Sequence, residues 1–213
     1  MLLTFEGIDG SGKSTQARLL VERLRAEGAS PLLVREPGGT DLSEHVRSLL
    51  LDPALPVEPF AELLLFSAAR AQLVAERLRP ALREGRVVVC DRFYDSTTAY
   101  QGGGRELEDM DWLREFNRHV TQGLVPDRTY LLDIDPATAL ARRAVRHAEV
   151  AAQDDRMEAA GLAFYQRVAS AYRRLAREEP GRILSLDGTD AVETIHARIW
   201  DDVQHLRPRS AKG

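Results

Sequence analysis

The sequence predicts an α/β fold in three layers, a five-stranded parallel sheet covered by helices on both faces, and three observations lead there. Five short apolar runs, at residues 2–8, 31–34, 87–90, 130–134 and 183–186, have the length and composition of buried strands. The stretches between them are long enough to cross over and carry apolar residues at helical spacing. The first run passes directly into a glycine-rich turn and then an amphipathic stretch, so the chain opens as strand, loop and helix.

Taken in order, the first strand leads to a helix over 15–26, with Ala17, Leu19, Leu20 and Leu24 on one face and Gly28 closing it. A second strand at 31–34 is followed by the Pro37-Gly38-Gly39 turn and an amphipathic segment over 42–51 that stops at Asp52-Pro53. A longer helix is expected over about 60–84, kinked or divided by Pro80. The remaining strands alternate with helical sequence. Residues 142–156 hold four arginines and little apolar periodicity beyond alanines, and 207–213 form a polar, basic tail expected to fray. There is no repeat and no linker, so 1–206 is expected to be a single domain.

Composition narrows the class. At 213 residues and 44% hydrophobic content, a folded chain buries roughly 70% of its surface. With 33 acidic against 29 basic residues the net charge is -4, so no global field draws the protein to nucleic acid or anionic membrane. Any polyanion must be held by a local arrangement. The apolar runs are far shorter than the about 20 residues of a membrane span, and the N-terminus has neither a basic leader nor a cleavage site. One cysteine, Cys90, can form neither an internal disulfide nor a cysteine zinc cage, which fits a reducing cytoplasm.

The most specific motif is Gly7-Ile8-Asp9-Gly10-Ser11-Gly12-Lys13-Ser14, which fits GxxxxGK[ST] without a gap. Its glycines let successive backbone N–H groups curl around phosphate oxygens. Lys13 adds a point charge at the β- and γ-phosphates, Ser14 offers a hydroxyl to Mg²⁺, and the following helix turns its positive end to the anion. The chain is therefore expected to bind a nucleoside triphosphate. No guanine-reading Asn-Lys-x-Asp run is present, which argues against a GTPase switch. Instead the third strand ends in Asp91-Arg92, an acid able to organise a Mg²⁺ hydration shell beside an arginine in the ligand crevice of a parallel sheet. Phosphoryl transfer to an existing phosphate needs cationic clamps more than a general base. Arg35, Arg47, Arg70, Arg92 and Arg105 are the available clamps, and the five scattered histidines carry no assigned chemistry.

Arg35-Glu36-Pro37-Gly38-Gly39-Thr40, the run from Leu64 to Gln72 that contains Phe66 and Arg70, and Asp91-Arg92-Phe93-Tyr94-Asp95-Ser96-Thr97-Thr98-Ala99-Tyr100-Gln101-Gly102 resemble the signature blocks of bacterial thymidylate kinases, nucleoside monophosphate kinases with a phosphate loop. With that loop and Asp155-Arg156-Met157-Glu158, the blocks follow the family's order from near the start to about residue 158. The resemblance implies transfer of the γ-phosphoryl of ATP to dTMP, with Mg²⁺ and a homodimer built through helices beside the sheet. It implies that Phe66 stacks on thymine, Arg70 donates to its O4, Thr97 and Gln101 complete base recognition, and Tyr100 crowds a 2'-hydroxyl. Arg92 and Arg47 would grip the acceptor phosphate, with Asp9 and Glu36 near its sugar and the metal. It also implies a lid at about 142–156 whose arginines reach the transferring phosphoryl, since the loop interior has no basic residue before Lys13. The arginine spacing there, Arg142-Arg143-Ala144-Val145-Arg146-His147, departs from the family's Arg-Ala-Arg-Ala-Arg-Gly; Arg146 is expected foremost and Arg142 second. The rivals are a kinase for another monophosphate or a deoxynucleoside, and a nucleotide-regulated binding module without turnover.

Overall fold

The computed structural model describes residues 1–107, 109–150 and 155–206, with the backbone alone described at 146–150. Among them, β1 (Leu2–Glu6), β2 (Leu32–Arg35), β3 (Val88–Asp91), β4 (Arg128–Asp133) and β5 (Ile183–Asp187) form one sheet in the order β2-β3-β1-β4-β5, with every pairing parallel. Each of the five expected runs overlaps a strand. The first stops at Glu6 rather than residue 8, because Gly7, at φ +140, already turns the chain into the loop. β4 starts earlier than its apolar run, because Arg128 and Thr129 pair with Leu3 and Thr4 and the two threonine hydroxyls bond each other at 2.7 Å.

Strand alternation divides the core. Leu3 and Phe5 of β1 face Leu20 and Leu24 of α1 (Lys13–Ala26) and Ile199 and Val203 of α9 (Val192–Leu206). Leu2 faces the other way, with Val88 and the fully buried Cys90, into Leu73, Leu78 and Phe93. Beyond them α8 (Gly161–Glu178) brings Val168, Tyr172 and Leu175 against Leu131 and Ile183. Each such Leu or Ile contributes about 1.5–3 kcal/mol by leaving water, so both faces of the sheet are firmly held.

The segment expected as one helix over 60–84 is three pieces. α3 (Pro59–Leu73) gives way to a π turn, Val74–Leu78, and regular bonding resumes in α4 (Arg79–Arg83). The break precedes Pro80 instead of falling at it. Pro80 then sits in the first turn of α4, where a missing N–H costs least.

Every residue run that concerns function follows the carboxyl end of a strand, as the geometry of parallel sheets favours. Loop 7–14 follows β1, Glu36 follows β2, Arg92 follows β3, α7 (Pro136–Val150) follows β4 and Gly188 follows β5. After β3 come α5 (Tyr94–Thr97) and a second π turn, Thr98–Gly104. Its three glycines permit close packing: a Cβ on Gly102 would lie 2.7 Å from Leu113 of α6 (Met110–Val120), and one on Gly103 would lie 2.5 Å from Ala171 of α8.

Candidate active site

Loop 7–14 has the backbone of an anion cradle. Gly10, at φ +88, is so close to α7 that a Cβ would stand 2.4 Å from the Ala139 carbonyl oxygen, and Gly12, at φ +96, caps α1 in the left-handed region. The first turn of α1 has no side-chain cap and no acidic residue, which leaves its N–H groups to an incoming anion. Lys13 is 6% exposed, and its Nζ donates to the Ile8 carbonyl at 3.4 Å and to Asp9 Oδ1 at 3.3 Å. Burial and neighbouring Arg92 hold the ammonium below the usual lysine range.

Asp9 joins this loop to the residues after β3. Arg92 Nη2 donates to Asp9 Oδ1 at 2.7 Å, while the Tyr100 and Tyr165 hydroxyls donate to Oδ2 at 3.2 and 3.3 Å. Burial opposes the Asp9 charge, but Arg92 and Lys13 outweigh it and keep the carboxyl far below the usual range. Arg92 itself has φ +74, a left-handed conformation disfavoured for a residue with a side chain. Glu6, at the end of β1 and wholly buried, supports that turn: Oε1 accepts from the Phe93 and Ser96 N–H groups at 2.7 and 3.3 Å, and Oε2 from the Ser96 and Tyr172 hydroxyls at 2.6 and 2.7 Å. Burial, with Asp95 adding to it, raises the Glu6 carboxyl above its ordinary value. Sequence reasoning missed Glu6, which reads as an ordinary strand residue; a carboxylate inside an otherwise apolar run was the available signal.

All nine expected acceptor residues, Asp9, Glu36, Arg47, Phe66, Arg70, Arg92, Thr97, Tyr100 and Gln101, line one cleft. Pro37, Leu51, Ser96, Asp155 and Met157 complete it. Arg70 is 2% exposed and donates through Nε to Glu36 at 2.6 Å, through Nη1 to the Thr97 hydroxyl at 2.6 Å and through Nη2 to the Phe93 carbonyl at 3.2 Å. The second Glu36 oxygen is buried with no donor among the described residues, and burial pushes this carboxyl up to about 7 against the pull of Arg70. Phe66 is half-buried, packed on the core of α2 (Asp41–Leu51) and α3 while lining the cleft. Arg47 Nη1 donates to the Pro37 carbonyl at 3.0 Å. The ring of Tyr100 meets Phe164, Tyr165 and Tyr172 edge-on at 5.9, 6.4 and 6.3 Å, so it forms a fixed wall.

Two of the five expected clamps do other work. Arg35 is exposed and forms a two-pronged pair with Glu44 at 3.0 and 3.1 Å, since its strand ends facing α2. Arg105 is drawn to buried Glu62 at 3.0 Å. Neither lines the acceptor cleft.

On the donor side, Ser14 and Asp91 face one second cleft, and Asp91 Oδ1 is buried without a donor among the described residues. An unpartnered carboxylate oxygen beside an exposed hydroxyl and the phosphate loop is an oxygen donor set that suits Mg²⁺. The expected lid begins as the last turns of α7, which runs to Val150. Arg142 is exposed and donates to the Gly188 carbonyl at 2.7 Å; Arg143 is 7% exposed, bonds the Tyr165 hydroxyl at 3.2 Å and lies over its ring. The Arg146 side chain and the tail 207–213 lie outside the described residues.

A phosphate loop, an adjoining arginine-lined cleft and a parallel sheet in this strand order define a nucleoside monophosphate kinase of the phosphate-loop fold. A family model described as thymidylate kinase matches residues 5–199. Thymidylate kinase of Deinococcus radiodurans is 49% identical over 200 residues, covering 94% of each chain, and that of Chlorobium chlorochromatii is 48% identical over 219 residues, covering 98% of each. The crystal structure of thymidylate kinase from Ehrlichia chaffeensis superposes with a TM-score of 0.76 at 34% identity, covering 96% of this chain and 98% of that one. The chain belongs to the thymidylate kinase family, and its reaction is the phosphorylation of dTMP to dTDP by ATP.

Proposed function

We propose that dTMP occupies the cleft behind Arg92 while the ATP triphosphate lies in loop 7–14, so that the phosphoryl group crosses at Asp9. The single observation that carries this reading is the unbroken chain Lys13, Asp9, Arg92, with contacts of 3.3 and 2.7 Å, which joins donor cradle to acceptor cleft. Arg92 and Arg47 orient the acceptor phosphate. One of its oxygens, already ionised, attacks the γ-phosphorus as the bond to the bridging oxygen breaks and ADP leaves, so no general base is required. Lys13, with Arg142 and Arg146 from the lid, stabilises charge on the moving group. The backbone of Gly7, Ile8, Asp9, Gly10, Ser11, Gly12, Lys13 and Ser14 cradles the triphosphate.

Phe66 stacks on the base, Arg70, Thr97 and Gln101 read its polar edge, and Asp9 and Glu36 lie by the sugar. The fixed ring of Tyr100 leaves a 2'-hydroxyl no room. Ser14 and Asp91 would hold Mg²⁺, whose charge would neutralise the β- and γ-phosphates. Residues 1–206 act as one domain with 142–156 as its lid, in a cytoplasmic homodimer. Exposed Leu42 and Leu49 on α2, Phe60 and Leu64 on α3 and Trp112 on α6 support a dimer through these helices. No described helix is long and apolar enough to cross a membrane.

Turnover on dTMP, dUMP, dCMP, AMP, thymidine and ribo-TMP at saturating ATP tests the acceptor assignment. Preference for dTMP is expected, and Tyr100→Ala is expected to narrow the gap between dTMP and ribo-TMP. An unchanged ratio in that variant removes Tyr100 from sugar selection.

A further inference from the structure

Gln101 lies in the acceptor cleft beside Phe66, Arg70 and Thr97 and is 2% exposed. Its amide has two faces, two hydrogens on Nε2 and two lone pairs on Oε1, and which face meets the ligand decides which base edge it accepts. Glu62, fully buried on α3, determines this. Glu62 Oε1 accepts from Gln101 Nε2 at 2.8 Å and from Arg105 Nε at 3.2 Å; Oε2 accepts from Arg105 Nη2 at 3.0 Å and from Arg156 Nη1 at 2.6 Å. Burial works against the Glu62 charge, but the hydrogen bonds from Arg105, Gln101 and Arg156 outweigh it and keep the carboxyl below its ordinary value. An ionised carboxylate only accepts, so the amide must turn its nitrogen to Glu62 and its oxygen away. Among the described residues nothing donates to that oxygen.

Thymine offers one donor on this edge, N3–H, between the acceptors O4 and O2. A 4-aminopyrimidine has a bare acceptor at N3 and a donor at C4. We propose that Glu62 sets the polarity of Gln101, making it an acceptor for thymine N3–H and so a barrier to 4-aminopyrimidine nucleotides. Glu62 never touches the substrate; it is a positioning residue that specifies the base through Gln101. The proposal rests on Gln101 as a base-reading residue.

The test compares dTMP with 5-methyl-dCMP, which keeps the methyl group, sugar and phosphate and differs only at N3 and C4. The ratio of kcat/KM values for the two does not depend on the fraction of enzyme that is folded. In Glu62→Gln the residue at 62 can donate or accept, so the Gln101 amide is free to turn over. The ratio is expected to fall at least about tenfold, the worth of one hydrogen bond, and to fall similarly in Gln101→Ala. If Gln101→Ala loses discrimination while Glu62→Gln keeps it, the positioning role is overturned and base reading by Gln101 stands. If Gln101→Ala keeps discrimination, base reading fails and the proposal with it.

Glu62→Gln leaves Arg105 and Arg156 without their carboxylate and risks misfolding, so the unaltered protein provides a second measurement. With the Gln101 side-chain ¹⁵N amide assigned by comparison with Gln101→Ala, its protons are expected to resist solvent exchange both before and after saturation with dTMP. Free exchange of the Nε2 protons in the protein without ligand, with protection appearing only when dTMP binds, would mean that the base and not Glu62 holds Nε2, which overturns the proposal.

Discussion

On the acceptor side of the site, Arg70 already bonds Glu36, Thr97 and the Phe93 carbonyl, and Tyr100 is boxed by three aromatic rings. On the donor side, Ser14 is exposed and, among the described residues, Asp91 Oδ1 has no donor and Arg142 hydrogen-bonds a backbone carbonyl. The acceptor cleft is thus assembled by folding, while the donor cradle, on the proposed function, takes its main partners from the phosphates of ATP. The difference has a physical cost and benefit. On the proposed function, a preformed cleft spares dTMP most of the ordering entropy of binding and gives the base a rigid template. An open cradle lets ATP enter and ADP leave without dismantling the residues that select the acceptor.

The largest effect expected along this division is at its seam. Arg92→Ala removes the partner of Asp9 that the proposed function places on the acceptor phosphate, and it is expected to lower kcat at saturating dTMP by about 10²–10³-fold. Unchanged turnover would show that the seam carries no part of the transfer. A smaller, one-sided effect is expected from Arg142→Ala: the KM for ATP rises about tenfold, the scale of one charge-assisted hydrogen bond, and the KM for dTMP stays constant. Parallel increases in both would break the separation of halves.

The smallest effect concerns stability and pH. The folded protein keeps a proton on Glu36 up to about pH 7, whereas the unfolded chain releases it near the ordinary carboxylate value. The native state therefore binds more protons in that window, and stability falls as pH rises through it. Urea midpoints between pH 5 and 8 are expected to show this decline in the unaltered protein and less of it in Glu36→Gln; equal slopes would remove Glu36 as its source.

The sequence revealed most of what depends on short-range pattern. The buried runs marked each strand of the described sheet, and the spacing of Gly7, Gly12, Lys13 and Ser14 marked a loop with the backbone of an anion cradle, because both follow from local backbone demands. The resemblance pointed to nine residues, eight in four family blocks and Arg47 outside them, that line one cleft although they are far apart in the chain. What stayed hidden depends on partners distant in sequence. Arg35 and Arg105 read as free cations because nothing nearby in the chain discloses Glu44 or Glu62 as their partners. Glu6 and Glu62 read as ordinary carboxylates because burial, and the donors that gather around it, exist only in three dimensions. The π turn before Pro80 was hidden for the same reason: proline signals where a helix is interrupted, while packing determines how the interruption is accommodated.

Amide hydrogen exchange on the free protein, with dTMP alone, and with dTMP plus an ATP analogue tests the division most directly. A cleft assembled by folding requires strong protection at residues 91–105 in the free protein with little change on adding dTMP, while loop 7–14 gains protection only when the ATP analogue is present. Rapid exchange at 91–105 that slows only when dTMP binds would contradict it.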